Sequence, residues 1–222
     1  MVSAATPTEA SASAGFLAEI DRTRVMAILR SGDGASLVEP ALALFAAGIS
    51  LVEISLTTPG ACAAIEQLAA RKPDGAQIGA GTVLTVSDVA DIAAAGAQFV
   101  VTPALAESVA ESVRRGLPVA AGALTPTEVL TAHRAGASVV KIFPASLGGP
   151  GYVKALRGPF PDLPLLAVGG VGVTETTQYL QAGARGVGVG SPLVGDALSG
   201  GDLASLQDRA RGYLQAAVEA TR

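Results

Sequence analysis

"AAGISLVEISLTTPG", residues 46–60, carries in order the end of a helix, a strand and a turn. Gly48 closes an amphipathic stretch and accepts the left-handed conformation that follows a helix; the apolar run after it reads as a strand. The same joint returns as "AAGAQ" at 94–98, "RAGAS" at 134–138 and "QAGAR" at 181–185. Between the joints lie further strand candidates beginning at residues 25, 52, 77, 99, 118, 139, 163 and 186. Helical periodicity follows each, over 35–47, 59–71, 85–95, 104–115, 125–135, 150–157, 173–182 and 202–219. Strand–helix alternation repeated eight times predicts an α/β fold, a compact (β/α)8 TIM barrel, with an extra N-terminal helix over 15–22. The structural competitor is an open doubly wound sheet. Its first βα turn needs a G-x-G-x-x-G loop, which "LRSGDGAS" at 29–36 does not supply.

Composition suits that reading. Half of the 222 residues are hydrophobic, enough for one buried core, and the expected domain runs over 15–222 behind a loose tail at 1–14. Fifteen basic and nineteen acidic side chains give a net charge of −4 without long blocks of one sign, so neither nucleic acid nor an anionic membrane is the expected partner. A small molecule is. A single cysteine, Cys62, and a single histidine, His133, offer no Cys/His metal cluster, and no cofactor is expected. The N-terminal stretch lacks the charged and apolar regions of a secretory signal, and no apolar run approaches the roughly 20 residues that span a bilayer; the expected location is cytoplasmic.

Strand alternation then sorts the polar residues. In "VEISL", Glu53 and Ser55 share one face and Val52, Ile54 and Leu56 the other; the aliphatic face suits the helices and leaves Glu53 inside the barrel. By the same parity Arg30 follows Met26 and Ile28 inward, Thr82 follows Ile78 and Ala80, and Lys141 lies between Val139 and Phe143. A strand lysine is ordinarily a solvated or snorkelling chain. A parallel barrel strand has no exposed edge, which turns that expectation round. Glu53 has a plainer alternative as half of a structural ion pair with Lys141 or Arg30. Cys62 and His133 read as helix packing or surface residues, and Lys72 and Lys154 as solvated ones. After strands 7 and 8, "AVGGVG" at 167–172 and "GVGSPL" at 188–193 put Gly169, Gly170, Gly190 and Ser191 where backbone N–H groups can meet a phosphate.

"VEISLTTP", "IGAGTV", "FVVTP", "VKIFPAS", "AVGG" and "GVGS" stand in the order and approximate spacing of the 2-keto-3-deoxy-6-phosphogluconate and 4-hydroxy-2-oxoglutarate aldolases, which the chain resembles over about residues 24–195. "AILR" at 27–30 and "KIFPAS" at 141–146 make it most similar to the branch that acts on the galactonate epimer. The resemblance implies a metal-independent Schiff-base aldolase, commonly a trimer, that splits a phosphorylated 2-keto acid into pyruvate and glyceraldehyde 3-phosphate. Lys141 would then form the Schiff base and Glu53 serve as general acid/base. Arg30 and Thr82 would hold the carboxylate, Phe143 would line the site, and the four residues of the glycine turns would hold the phosphate. Two positions bear on type. The gluconate members typically carry Arg where this chain has Thr57, leaving Arg30 as the available cation, and commonly carry Thr where this chain has Val168. The rivals left open are another phosphate-binding barrel isomerase or synthase, and a non-catalytic binding barrel.

Overall fold

The computed structural model describes residues 7–220. Eight strands run β1 (Val25–Leu29), β2 (Leu51–Ser55), β3 (Gln77–Gly81), β4 (Phe99–Val101), β5 (Val119–Ala123), β6 (Val139–Ile142), β7 (Leu165–Val168) and β8 (Gly186–Val189). Each pairs in parallel with the next, and β8 returns to β1 through Val25 and Val187, closing a barrel in sequence order. The helices are α1 (Pro7–Thr23), α2 (Val38–Ala46), α3 (Ala61–Arg71), α4 (Val86–Ala94), α5 (Glu107–Arg114), α6 (Pro126–Arg134), α7 (Gly149–Arg157), α8 (Val173–Gln181), the short α9 (Ser191–Val194) and α10 (Leu203–Glu219). The fold is therefore the expected (β/α)8 barrel with a preceding helix.

Local chemistry marks the helix boundaries. Thr85 and Asp88 form a reciprocal capping box at the start of α4, as do Thr125 and Glu128 at α6. At the other ends the glycines of the four recurring joints, Gly48, Gly96, Gly136 and Gly183, sit at φ between 88° and 101°, a region closed to ordinary side chains.

Two cores follow from strand alternation. Val52, Ile54, Val140 and Ile142 face outward into a continuous layer shared with the helices. Met26, Leu51, Phe99, Val101, Val139, Leu166 and Val168 fill the barrel interior, joined by Phe16 and Ile20 from α1. The Phe16 and Phe99 rings stack with centroids 4.9 Å apart. Gly79 makes room for Phe99, since a Cβ there would stand 2.4 Å from the ring. An Asp21–Arg185 pair, in which Nε and Nη2 donate to the two carboxylate oxygens at 2.8 and 2.6 Å, ties α1 to the barrel.

The N-terminal helix departs from expectation. It begins at Pro7, inside the stretch 1–14 expected to be a loose tail; residues 1–6 lie outside the described residues. Ser- and Ala-rich sequence reads as tail by composition, yet it contains no interruption before Gly15. Burial of Phe16 and Ile20 anchors the helix, and Ser13 Oγ hydrogen-bonds Ser138 Oγ.

Candidate active site

The strand ends open on a cavity of about 940 Å³. β1 brings Arg30 to it, β2 brings Glu53, β6 brings Lys141 and Phe143, β7 brings Val168 and the Gly169–Gly170 turn, and β8 brings Gly190 and Ser191; Thr82 completes the set from the end of β3. Every residue singled out from the sequence as a site candidate thus lines one cavity. Cys62 is instead half-buried on α3, and His133 and Lys154 are exposed on α6 and α7.

Lys141 is 6% exposed, between the inward Val139 below and the Phe143 ring above, whose centroid lies 4.9 Å from Nζ. Loss of water holds its ammonium below the usual lysine range; the Glu53 charge acts the other way and Arg30 reinforces the lowering. Glu53 is 2% exposed, and burial raises its carboxyl above the usual range against the pull of Lys141 and Arg30. Among the described residues Glu53 pairs directly with neither cation, so the structural ion-pair alternative does not hold. Among the described residues its Oε2 meets no hydrogen-bond donor. A buried carboxylate oxygen without a partner is costly, and such atoms mark positions where something other than stability has chosen the residue. Gly81 makes this placement possible: a Cβ there would fall 1.6 Å from Glu53 Oε1, so the carboxylate lies across the bare backbone of β3.

The inward parity predicted for β1, β2 and β6 agrees with the interior core; that for β3 does not. Ile78 and Ala80 belong to the outer layer, and Gly79 and Gly81 face inward. Thr82 reaches the cavity by a different route, since its φ of 59° lies in the left-handed region that β-branched residues rarely enter. The stretch after β3 therefore swings inward instead of continuing the pleat. Sequence parity also passed over the use of Ser55, whose hydroxyl contacts Arg30, Thr57 and Thr82. Its signal was already present in the face it shares with Glu53.

At the far side, Gly169 and Gly170 sit at positive φ (98° and 72°) and line the mouth with Gly190, while the carbonyls of Gly169 and Gly190 accept bonds from Ser146 and from Leu193 and Val194. Backbone left bare of side chains at the ends of β7 and β8 lets an anion approach closely. No group of three or more His, Cys, Asp or Glu side chains among the described residues is placed to hold a metal ion.

A buried lysine whose ammonium form is disfavoured by loss of water, beside a buried carboxylate, is the equipment of lyases that work through a covalent imine, and fold and site together define that class. The chain belongs to the KDPG and KHG aldolase family, whose model matches residues 17–208. It is 42% identical over 153 residues, 68% of this chain and 75% of the other, to the 2-dehydro-3-deoxy-6-phosphogalactonate aldolase of Escherichia coli K12. A solved structure described as native KDPGal superposes with a TM-score of 0.83 at 36% identity, covering 89% of this chain and 95% of that one. KDPG aldolase from Legionella pneumophila, solved with pyruvate captured as a covalent carbinolamine, superposes at 0.79 with 28% identity, covering 89% and 97%.

Proposed function

We propose that the chain cleaves 2-dehydro-3-deoxy-6-phosphogalactonate to pyruvate and D-glyceraldehyde 3-phosphate through an imine on Lys141. The observation that carries this reading is the pairing of a desolvated Lys141 with a buried Glu53 that does not neutralise it by direct contact. The name of the E. coli relative supports the choice of substrate.

In this mechanism the neutral amine of Lys141 adds to the C2 ketone, and the carbinolamine takes up a proton, from Glu53 or water, and loses water to leave an iminium. Glu53 takes the C4 hydroxyl proton, directly or through water. The C3–C4 electron pair then moves into the iminium, forming an enamine as the aldehyde leaves. Protonation of C3 restores the iminium, and hydrolysis releases pyruvate and the free lysine. The protonated imine is itself the electron sink, so the step needs no other cofactor. Arg30 and Thr82 hold the carboxylate, the amides of Gly169, Gly170 and Gly190 with Ser191 hold the phosphate, and the scissile bond is suspended between them. Val168, at the end of β7, offers no hydroxyl to either C4 configuration.

Borohydride reduction in the presence of pyruvate tests the assignment. The expected result is one stable adduct on the peptide carrying Lys141; an adduct on Lys72 or Lys154 instead, or none under turnover conditions, defeats it. We also propose the homotrimer that the family resemblance implies. Light scattering should give close to three times the 21.9 kDa chain mass, and a monomer's mass would remove that assembly.

A further inference from the structure

The hydroxyl of Ser55 is fully buried and has three polar neighbours: Arg30 Nε at 3.3 Å, Thr57 Oγ1 at 2.9 Å and Thr82 Oγ1 at 3.1 Å. A serine hydroxyl has one proton to give and two lone pairs to receive. Arg30 can only donate, which occupies one lone pair. The two threonines must therefore divide the remainder, one donating to Ser55 and the other accepting its proton. Neither threonine hydroxyl has another protein partner among the described residues, so the one that accepts keeps its own O–H free. Both threonines line the cavity. The remaining N–H groups of Arg30 are also uncommitted, and no acidic side chain among the described residues pairs with its charge.

The corner thus presents donors to the cavity: a guanidinium and one threonine proton whose owner can switch. The matching ligand is one that only accepts, a carboxylate. The same serine also braces Thr82 in its left-handed backbone conformation, a state that survives only when its surroundings enforce it. Thr57 is in this arrangement part of a hydroxyl relay reaching Arg30, just beyond β1.

We propose that Ser55 is the positioning residue of a donor-only corner, made by Arg30, Thr57 and Thr82, that receives the carboxylate of the 2-oxo acid. This rests on the aldolase reading above and adds to it the residue that organises the carboxylate end. The test is borohydride trapping on Lys141 over a concentration series of two ketones, pyruvate and hydroxyacetone, the second lacking a carboxylate. Wild type is compared with Ser55→Ala and with Ser55→Cys, which keeps the volume but bonds poorly; thermal unfolding establishes that each is folded. Ser55→Ala should raise the half-saturating pyruvate concentration about 3- to 10-fold, as expected for hydrogen bonds lost at one ligand group. The saturated trapping rate should change less than about twofold, as expected of an interaction made equally before and during the reaction, and hydroxyacetone should be unaffected. Ser55→Cys should shift pyruvate in the same direction and carries the test if the alanine variant does not fold. A pyruvate half-saturation within about twofold of wild type in a folded variant, or an equal shift for both ketones, overturns the proposal. Absence of any adduct in the wild type strikes instead at the aldolase reading, which keeps the two failures apart.

Discussion

The two ends of the barrel are made by the same eight strands with the same inward parity, yet they hold opposite chemistry. At the N-terminal end Met26, Leu51, Phe99, Val101 and Val139 meet Phe16 and Ile20 of α1 in a wholly apolar plug. At the other end, two residues further along β2 and β6, the inward positions become Glu53 and Lys141, a buried acid and a buried base with no direct pairing between them. The plug follows the rule that interiors are apolar and close-packed. The mouth breaks it, placing ionisable groups out of water and leaving Glu53 Oε2 without a donor among the described residues. The comparison teaches that stability and reactivity are separated along the barrel axis, so substitutions at the two ends should fail in different assays.

Replacing Lys141 by Met should have the largest effect. Loss of the nucleophile is expected to lower turnover on the order of 10⁴-fold or more, with no pyruvate adduct after borohydride, while the fold survives. Residual activity near wild type would end the functional assignment of the mouth. Next, Glu53→Gln should cost about 10²- to 10⁴-fold in kcat while retaining some imine formation. The pH profile sharpens this. Burial holds Lys141 below its usual range, so the reactive neutral amine grows in as pH rises; burial holds Glu53 above its usual range, so its carboxylate also grows in as pH rises. Both limbs therefore lie on the acid side, and the glutamine variant should lose one of them in a pre-steady-state trapping series.

At the plug, Phe16→Ala should remove about 3 to 5 kcal/mol of stability by urea titration, the usual cost of an emptied aromatic site. Its kcat/KM per folded molecule should be unchanged, and a parallel collapse of activity would show that the ends are not independent. Gly81→Ala acts at the boundary. A methyl 1.6 Å from Glu53 Oε1 must displace the carboxylate, and a misplacement of about 1 Å is worth roughly 10²-fold in turnover. The smallest change is Val168→Thr, which should alter the ratio of efficiencies on the galactonate and gluconate epimers by only about two- to tenfold, the worth of one neutral hydrogen bond. If purified wild type prefers the gluconate epimer by more than roughly a hundredfold, about 2.7 kcal/mol, that preference is too large for this site and the galactonate assignment is wrong.

Local pattern was enough for much of this protein. The helix–glycine–strand joints specify the repeat because a left-handed residue after a helix and an alternating or apolar run after it are properties of neighbouring residues alone. Parity on β1, β2 and β6 then put Arg30, Glu53 and Lys141 on the inner face, and the glycine turns follow β7 and β8. Three matters were decided only by the folded chain. The tail-like sequence before Gly15 is helical from Pro7, in a helix held by Phe16 and Ile20 against a barrel floor assembled from distant segments. Thr82 enters the cavity through a positive φ rather than through the parity of Ile78 and Ala80, because the neighbouring strand supplies the Ser55 hydroxyl that holds it there. Ser55 itself is an ordinary strand serine until β1 and β3 close on either side of it and commit both its lone pairs and its proton. Parity is set by adjacent peptide units, whereas the partners of a side chain are set by strands far apart in sequence.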